Sequence, residues 1–291
     1  TVYRKRLASS FYALKQTLSK RLAKLEATEK QLQIFFDEED IPEEGLSIEE
    51  SGETITTDDV DEQANLVAAV KEEHSDIHAL LNATSEIERD TKVSKLLHHL
   101  NALQREGYRQ TMVFTQYTDS LDMLRDVVAK ETGRSVLCFS GRGGEVRDDH
   151  GYWHSISRDK AKKIFREGKA EIMLCTDAAA EGLNFQFCGS LINYDMPWNP
   201  MRVEQRIGRI DRLGQKHETI RIINLHYADT VEADVYQAIK DRILDFEKLV
   251  GRLQPILSKV GDTIQQLALT RPEDRGTTTQ ERIDALVEEA D

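Results

Sequence analysis

The sequence predicts an α/β fold, a mostly parallel sheet covered on both faces by helices, with helical additions at each end. Three observations lead there. From Thr91 onward, short apolar runs alternate with stretches of helical spacing. The runs, such as Thr111-Met-Val-Phe-Thr115, are apolar throughout rather than at every second residue, as strands buried on both faces are. And 291 residues exceed one average domain, so the sheet is expected to be one part of the chain.

Taken in order, Leu7, Phe11, Leu14, Leu18, Leu22 and Leu25 repeat at helical spacing among basic residues and predict one long amphipathic helix, or two, over 3–35. Carboxylates crowd residues 37–62, which hold the first proline and the first two glycines, so a solvated loop is expected there. An acidic helix is predicted from Val60 to Leu81. These segments together, 1–90, read as a helical protrusion. The α/β part, 91–232, is expected to run helix 92–106, strand 111–115, helix 118–131, strand 135–139, a glycine-rich loop, helix 157–167, strands 171–175 and 190–194, helix 200–212 and strand 219–227. A helical extension, 233–291, closes the chain, with breaks near Pro255 and Pro272.

Hydrophobic residues make up 39% and charged residues 31%, a soluble globular composition with no apolar run long enough to cross a bilayer. The net charge of -13 is uneven: about +6 over 1–30, about -17 over 31–90 and about +2 over 91–232. Acidity is thus a property of one segment and leaves room for a basic groove elsewhere. Cys138, Cys175 and Cys188 are odd in number and scattered, which predicts reduced, buried thiols in a cytoplasmic protein. The chain starts at Thr1 with no signal-like segment, so it is expected to be a piece of a longer polypeptide.

The most specific stretch is Gln205-Arg-Ile-Gly-Arg-Ile-Asp-Arg-Leu-Gly-Gln215. On a helix, Arg206, Arg209 and Arg212 stand three apart and share one side. A solvated face could carry them, but Gly208 inside a helix costs about 1 kcal/mol relative to Ala, which points to close approach by a ligand or backbone. Planar, permanently charged forks suit a phosphoryl group whose charge is spreading over its oxygens.

This stretch resembles motif VI of the second helicase superfamily in its Swi/Snf-type form, above all the bacterial RapA/HepA-like branch. Leu174-Cys-Thr-Asp-Ala-Ala-Ala-Glu-Gly-Leu-Asn-Phe-Gln186 resembles motif V, Val113-Phe-Thr-Gln-Tyr117 motif IV, and NYDMPWNP (193–200) the segment that joins motifs V and VI. The motifs occur in the family's order over roughly 85–240. The resemblance implies a RecA-like C-terminal motor lobe in which Arg209 and Arg212 are arginine fingers reaching the γ-phosphate of ATP held, with Mg2+, on a first RecA-like lobe. It implies nucleotide-facing roles for Gly182, Asn184, Gln205 and Arg206. It also implies contacts from Gln116, Thr176, Ser140 and Gly141 to the backbone of duplex DNA, without base reading. Asn184 stands where Asp is frequent, and Pro197 where many eukaryotic relatives carry an acid.

Several patterns are decoys. Gly141, Gly143 and Gly144 in SGRGGEVRDDHGYWH (140–154) match no phosphate-binding fingerprint and read as a flexible loop, with Arg142 and Arg147 as weak backbone-contact candidates. Leu32-Gln-Ile-Phe-Phe-Asp-Glu imitates a Walker B strand inside a helical stretch. His74 and His78, four apart, could be half a metal site, but no third ligand is apparent; His98 and His99 read likewise, and no metal is expected.

No G-x-x-x-x-G-K-[ST] occurs, so the phosphate cradle and Mg2+ site belong to another part of the enzyme and this piece alone is expected to be inert. The protrusion is expected to pack on itself and to offer a protein contact. The expected setting is prokaryotic, cytoplasmic and nucleoid-associated, with no membrane. The alternative reading is a non-catalytic helicase-like scaffold for protein or nucleic acid; the retained arginines speak against it.

Overall fold

A computed structural model describes residues 2–39, 57–87, 90–177, 184–197, 200–211, 214–228, 230 and 233. The expected extension beyond Ala233, residues 40–56 of the acidic loop, Gly182 and Arg212 lie outside the described residues. The chain divides into two compact units, Thr1–Ala13 with Arg89–Asp291, and Leu14–Glu88. The first thirteen residues therefore cluster with the sheet, where the protrusion was expected to begin at residue 1.

In the larger unit, α1 (Val2–Ser9) and the start of α2 (Phe11–Glu39) precede α4 (Thr91–Arg105); α3 (Thr57–Ser85) belongs to the smaller unit. The sheet contains β1 (Thr111–Thr115), β2 (Val136–Ser140), β3 (Gly143–Arg147), β4 (Trp153–Ile156), β5 (Ile172–Thr176), β6 (Ser190–Asn193) and β7 (Arg221–Asn224). It is interleaved with α5 (Thr118–Thr132), α6 (Arg158–Arg166) and α7 (Pro200–Ile207). The strand order is β4-β3-β2-β5-β1-β6-β7. The five strands from β2 to β7 in that order pair in parallel, and β3 and β4 add an antiparallel edge.

Both faces of the central strands are buried, which is why their sequences lack alternation. Val113, Cys138, Leu174 and Ile192 pack with Leu96 and Leu100 of α4 and Leu121 and Leu124 of α5. Met112, Phe139, Met173 and Leu191 face the other way, with Ala161 and Phe165 of α6. The helices start and stop on local signals: the Asp90 carboxylate accepts from the Lys92 amide, Ser157 Oγ from the Lys160 amide, and Gly133 ends α5 at φ 64°. All three cysteines are free and buried, as expected, and burial pushes their thiols up, Cys188 to about 12.

Two expectations need correction. The glycine-rich segment is a β-hairpin edge, not a flexible loop: β3 pairs with β2 and with β4. Gly144 is there because a Cβ would stand 2.6 Å from the Cβ of Ala161 and 2.9 Å from Ile156 Cγ1, so only glycine lets α6 lie this close. Arg142 is paired with Asp122, and Arg147 donates to the Gly151 carbonyl. The second correction is that the helix expected over 200–212 ends at Ile207. Gly208 thus follows the helix in a turn, and a mid-helix cost does not explain it.

Candidate nucleotide-facing edge

The sheet's parallel register sets the carboxyl ends of β1, β5 and β6 side by side, with Thr115 opposite Thr176 and Phe114 opposite Asn193. This is the edge at which open α/β sheets bind ligands. Just past it, Asp177 follows β5 and Asp195 follows β6, and the last turn of α7 delivers Arg206 between them.

Arg206 is 1% exposed. Its Nε and Nη2 donate to the two Asp177 carboxylate oxygens at 2.6 and 2.9 Å, and its Nη1 donates to Asn193 Oδ1 at 3.0 Å and to the Asp195 carbonyl at 2.8 Å. The guanidinium also lies 5.3 Å from the Phe114 ring centroid. Burial works against its charge, but the Asp177 hydrogen bond and the Asp195 and Asp177 charges outweigh it and raise its pKa. The Asp195 carboxylate, equally buried, accepts from the Gln116 amide at 2.9 Å, Thr115 Oγ1 at 2.6 Å and Ser9 Oγ at 2.7 Å, and stands 3.5 Å from Arg206 Nη2. A buried ion pair with this many partners fixes geometry, since each lone pair and each N–H already has a direction.

Arg206 was expected to face the nucleotide alongside Arg209. The structure places it inside the fold, because the helix ends before Arg209 and the two arginines do not continue one helical face. Arg209 follows in the turn. Its amide donates to the Arg206 carbonyl at 3.0 Å and its carbonyl accepts from the Phe185 amide at 2.9 Å, while the next residue, Ile210, is fully buried. Gln215 Nε2 donates to the Ile210 carbonyl at 2.7 Å and the Cys188 carbonyl at 3.1 Å, closing the turn from the other side. The Arg209 backbone is thus pinned. Its side chain is half-buried, and among the described residues no hydrogen bond or ion pair holds its guanidinium.

The remaining expected residues are scattered along the same edge. Gln116 is half-buried and donates from Nε2 to the Met196 carbonyl at 3.1 Å. Thr176 is buried at the end of β5. Ser140 ends β2 and its Oγ accepts from the Arg142 amide, beside exposed Gly141. Asn184 is exposed and its Oδ1 accepts from the Gln186 amide at 3.3 Å; Gln205 is exposed on α7. Asp177, Asp195 and Ser9 escaped the sequence reading as functional-edge residues. The first two carried a signal: each is a single acid within two residues of a strand's end, a costly place for a charge without a partner. Ser9 carried none, being distant in sequence.

Residues 91–214 match the family described as the helicase conserved C-terminal domain. The chain is 38% identical over 174 residues to "Uncharacterized ATP-dependent helicase YqhH" of Bacillus subtilis (strain 168), covering 60% of this chain and 29% of that protein. It is 33% identical over 146 residues to RNA polymerase-associated protein RapA of Yersinia pestis (strain Pestoides F), covering 50% of this chain and 14% of RapA. The chain therefore spans less than a third of the length of these relatives. Among solved structures, the Pyrococcus furiosus Hef helicase domain is 19% identical with a TM-score of 0.43, covering 79% of this chain and 42% of that one. The C-terminal part of the Fun30 ATPase domain is 15% identical with a TM-score of 0.42, covering 97% and 81%. The similarity to a helicase C-terminal domain expected from the motifs is found over residues 91–214, and the expected likeness to RapA is found as well.

Proposed function

We propose that this chain is the second motor lobe of an ATP-dependent duplex-DNA translocase, supplying Arg209 and Arg212 to the γ-phosphate of ATP bound on a first RecA-like lobe. The observation that carries the reading is the division of labour among the arginines. Arg206 is consumed in bracing the turn, whereas Arg209 is held by its backbone with a guanidinium that no described residue engages. A cation positioned by its main chain can meet an external phosphoryl group without first breaking internal bonds, which is how electrostatic stabilisation of a transition state is made efficient. ATP supplies the reacting phosphoryl group and Mg2+ neutralises its charge. The chain has no phosphate-cradling G-x-x-x-x-G-K-[ST], so its residues fit one wall of that site and not the whole.

In this reading Gln116 and Gly141 line the path of the duplex backbone, offering amide and main-chain groups that touch phosphate and cannot read bases, and the strand ends at Thr176 and Ser140, whose side chains are buried in this structure, lie along the same path. Gly182, Asn184 and Gln205 face the nucleotide. ATP closes the two lobes, hydrolysis reopens them, and each grips the duplex in turn, in a prokaryotic, nucleoid-associated setting. ATP turnover by the two-lobe protein, compared with duplex DNA, single-stranded DNA and RNA as cofactors, checks this. Stimulation should be strongest with duplex DNA; stimulation by RNA alone overturns the duplex assignment, and turnover indifferent to every nucleic acid favours a scaffold.

A further inference from the structure

Independently of the motor reading, we propose that Glu26, His74 and His78 form a site for a transition-metal dication, best suited to Zn2+, in the helical unit Leu14–Glu88. The sequence offered only the two histidines one turn apart on α3. Folding adds the third donor from α2: a carboxylate oxygen of Glu26 and one ring nitrogen of each histidine all lie within 4.8 Å of one another. The two imidazoles stand with ring centroids 4.6 Å apart at 63°, side by side on one helical face.

Imidazole nitrogen and carboxylate oxygen are donors that Zn2+ takes at about 2.0–2.2 Å, which sets donor atoms roughly 3.3–3.5 Å apart around a tetrahedral ion. With all three donors within 4.8 Å of one another, small side-chain rotations reach that spacing. The two helices are already fixed at this level. Arg21 of α2 grips the Glu73 carboxylate of α3 with two bonds of 2.7 and 2.6 Å, and that pairing holds the Glu73 carboxyl below its ordinary range. Leu18 and Leu25 of α2, and Val70 and Ile77 of α3, are buried. Glu26 and His78 are exposed and His74 half-buried, so an ion has access, and three protein donors leave a fourth position for water.

An exposed pair of histidines at i, i+4 is common on solvated helices. What distinguishes this one is a ligand from a second helix, which makes the ion a clamp between α2 and α3 that binds only the folded unit and so stabilises it. Equilibrium dialysis of the whole chain against Zn2+, with the visible absorption of bound Co2+ as a geometric readout, tests the site. Wild type and the control H98A/H99A should each bind one ion tightly, and Zn2+ should raise their unfolding temperature. E26Q should bind at least about tenfold more weakly, and H74A/H78A should lose both the binding and the thermal shift, with helical content unchanged by circular dichroism. Tight binding retained in H74A/H78A, affinity unaltered in E26Q, or no binding by wild type overturns the proposal.

Discussion

The two ends of the sheet spend polar groups in opposite ways. At the amino ends of the strands, side chains bond mostly to neutral groups of their own fold. Gln110 Nε2 donates to the carbonyls of Phe165 and Ala170, Thr111 and Ser190 share a hydroxyl bond at 2.8 Å, and Arg134 donates to the carbonyls of Leu100 and Arg109 as well as to Glu171. That end is a closed seam. At the carboxyl ends, two buried charges, Arg206 and Asp195, are set beside Asp177, and one further arginine, Arg209, is presented on a pinned turn. Burying ions is expensive, and replacing such pairs with apolar residues is often neutral or stabilising, so a site that keeps them is better explained by the geometry they impose than by stability alone. The amino-end seam holds the sheet together; the carboxyl-end network fixes where the turn after α7 points.

Substitutions can break that contrast. Arg206→Ala strands Asp177 and Asp195 without their cation, and urea unfolding should show a loss of about 3–5 kcal/mol. A loss no larger than that of an ordinary surface arginine would mean that the network is solvated and does not brace the turn. Arg134→Ala removes bonds to two carbonyls and to a carboxylate that is itself 36% exposed, so its cost should be smaller, about 1–3 kcal/mol, with ATP turnover of the folded fraction unchanged. If Arg134→Ala abolished turnover while sparing stability, the seam would not be merely structural.

Much of this was legible beforehand where the signal is local. The central strands announced themselves by unbroken apolar runs, and the motif around Arg209 by its residues. What stayed illegible was tertiary. β3 and β4 are half-exposed edge strands, and their glycines looked like a loop because the reason for Gly144 is the approach of Ala161 from α6. Arg206 looked equivalent to Arg209 because spacing cannot see the carboxylates that claim it. Ser9 reaches Asp195 across almost the whole α/β part of the sequence, and no periodicity marks such a contact. Glu26 was invisible as a metal donor for the same reason: it meets the histidines only once α2 and α3 are folded.

The measurement that bears most directly on the proposed finger is single-turnover ATP hydrolysis by Arg209→Ala in the two-lobe protein, with nucleotide and duplex binding followed in parallel. Hydrolysis should fall by roughly 10³ or more while unfolding free energy stays within about 0.5 kcal/mol of wild type and both ligands still bind. Hydrolysis at the wild-type rate in a folded, ligand-binding variant would contradict the account.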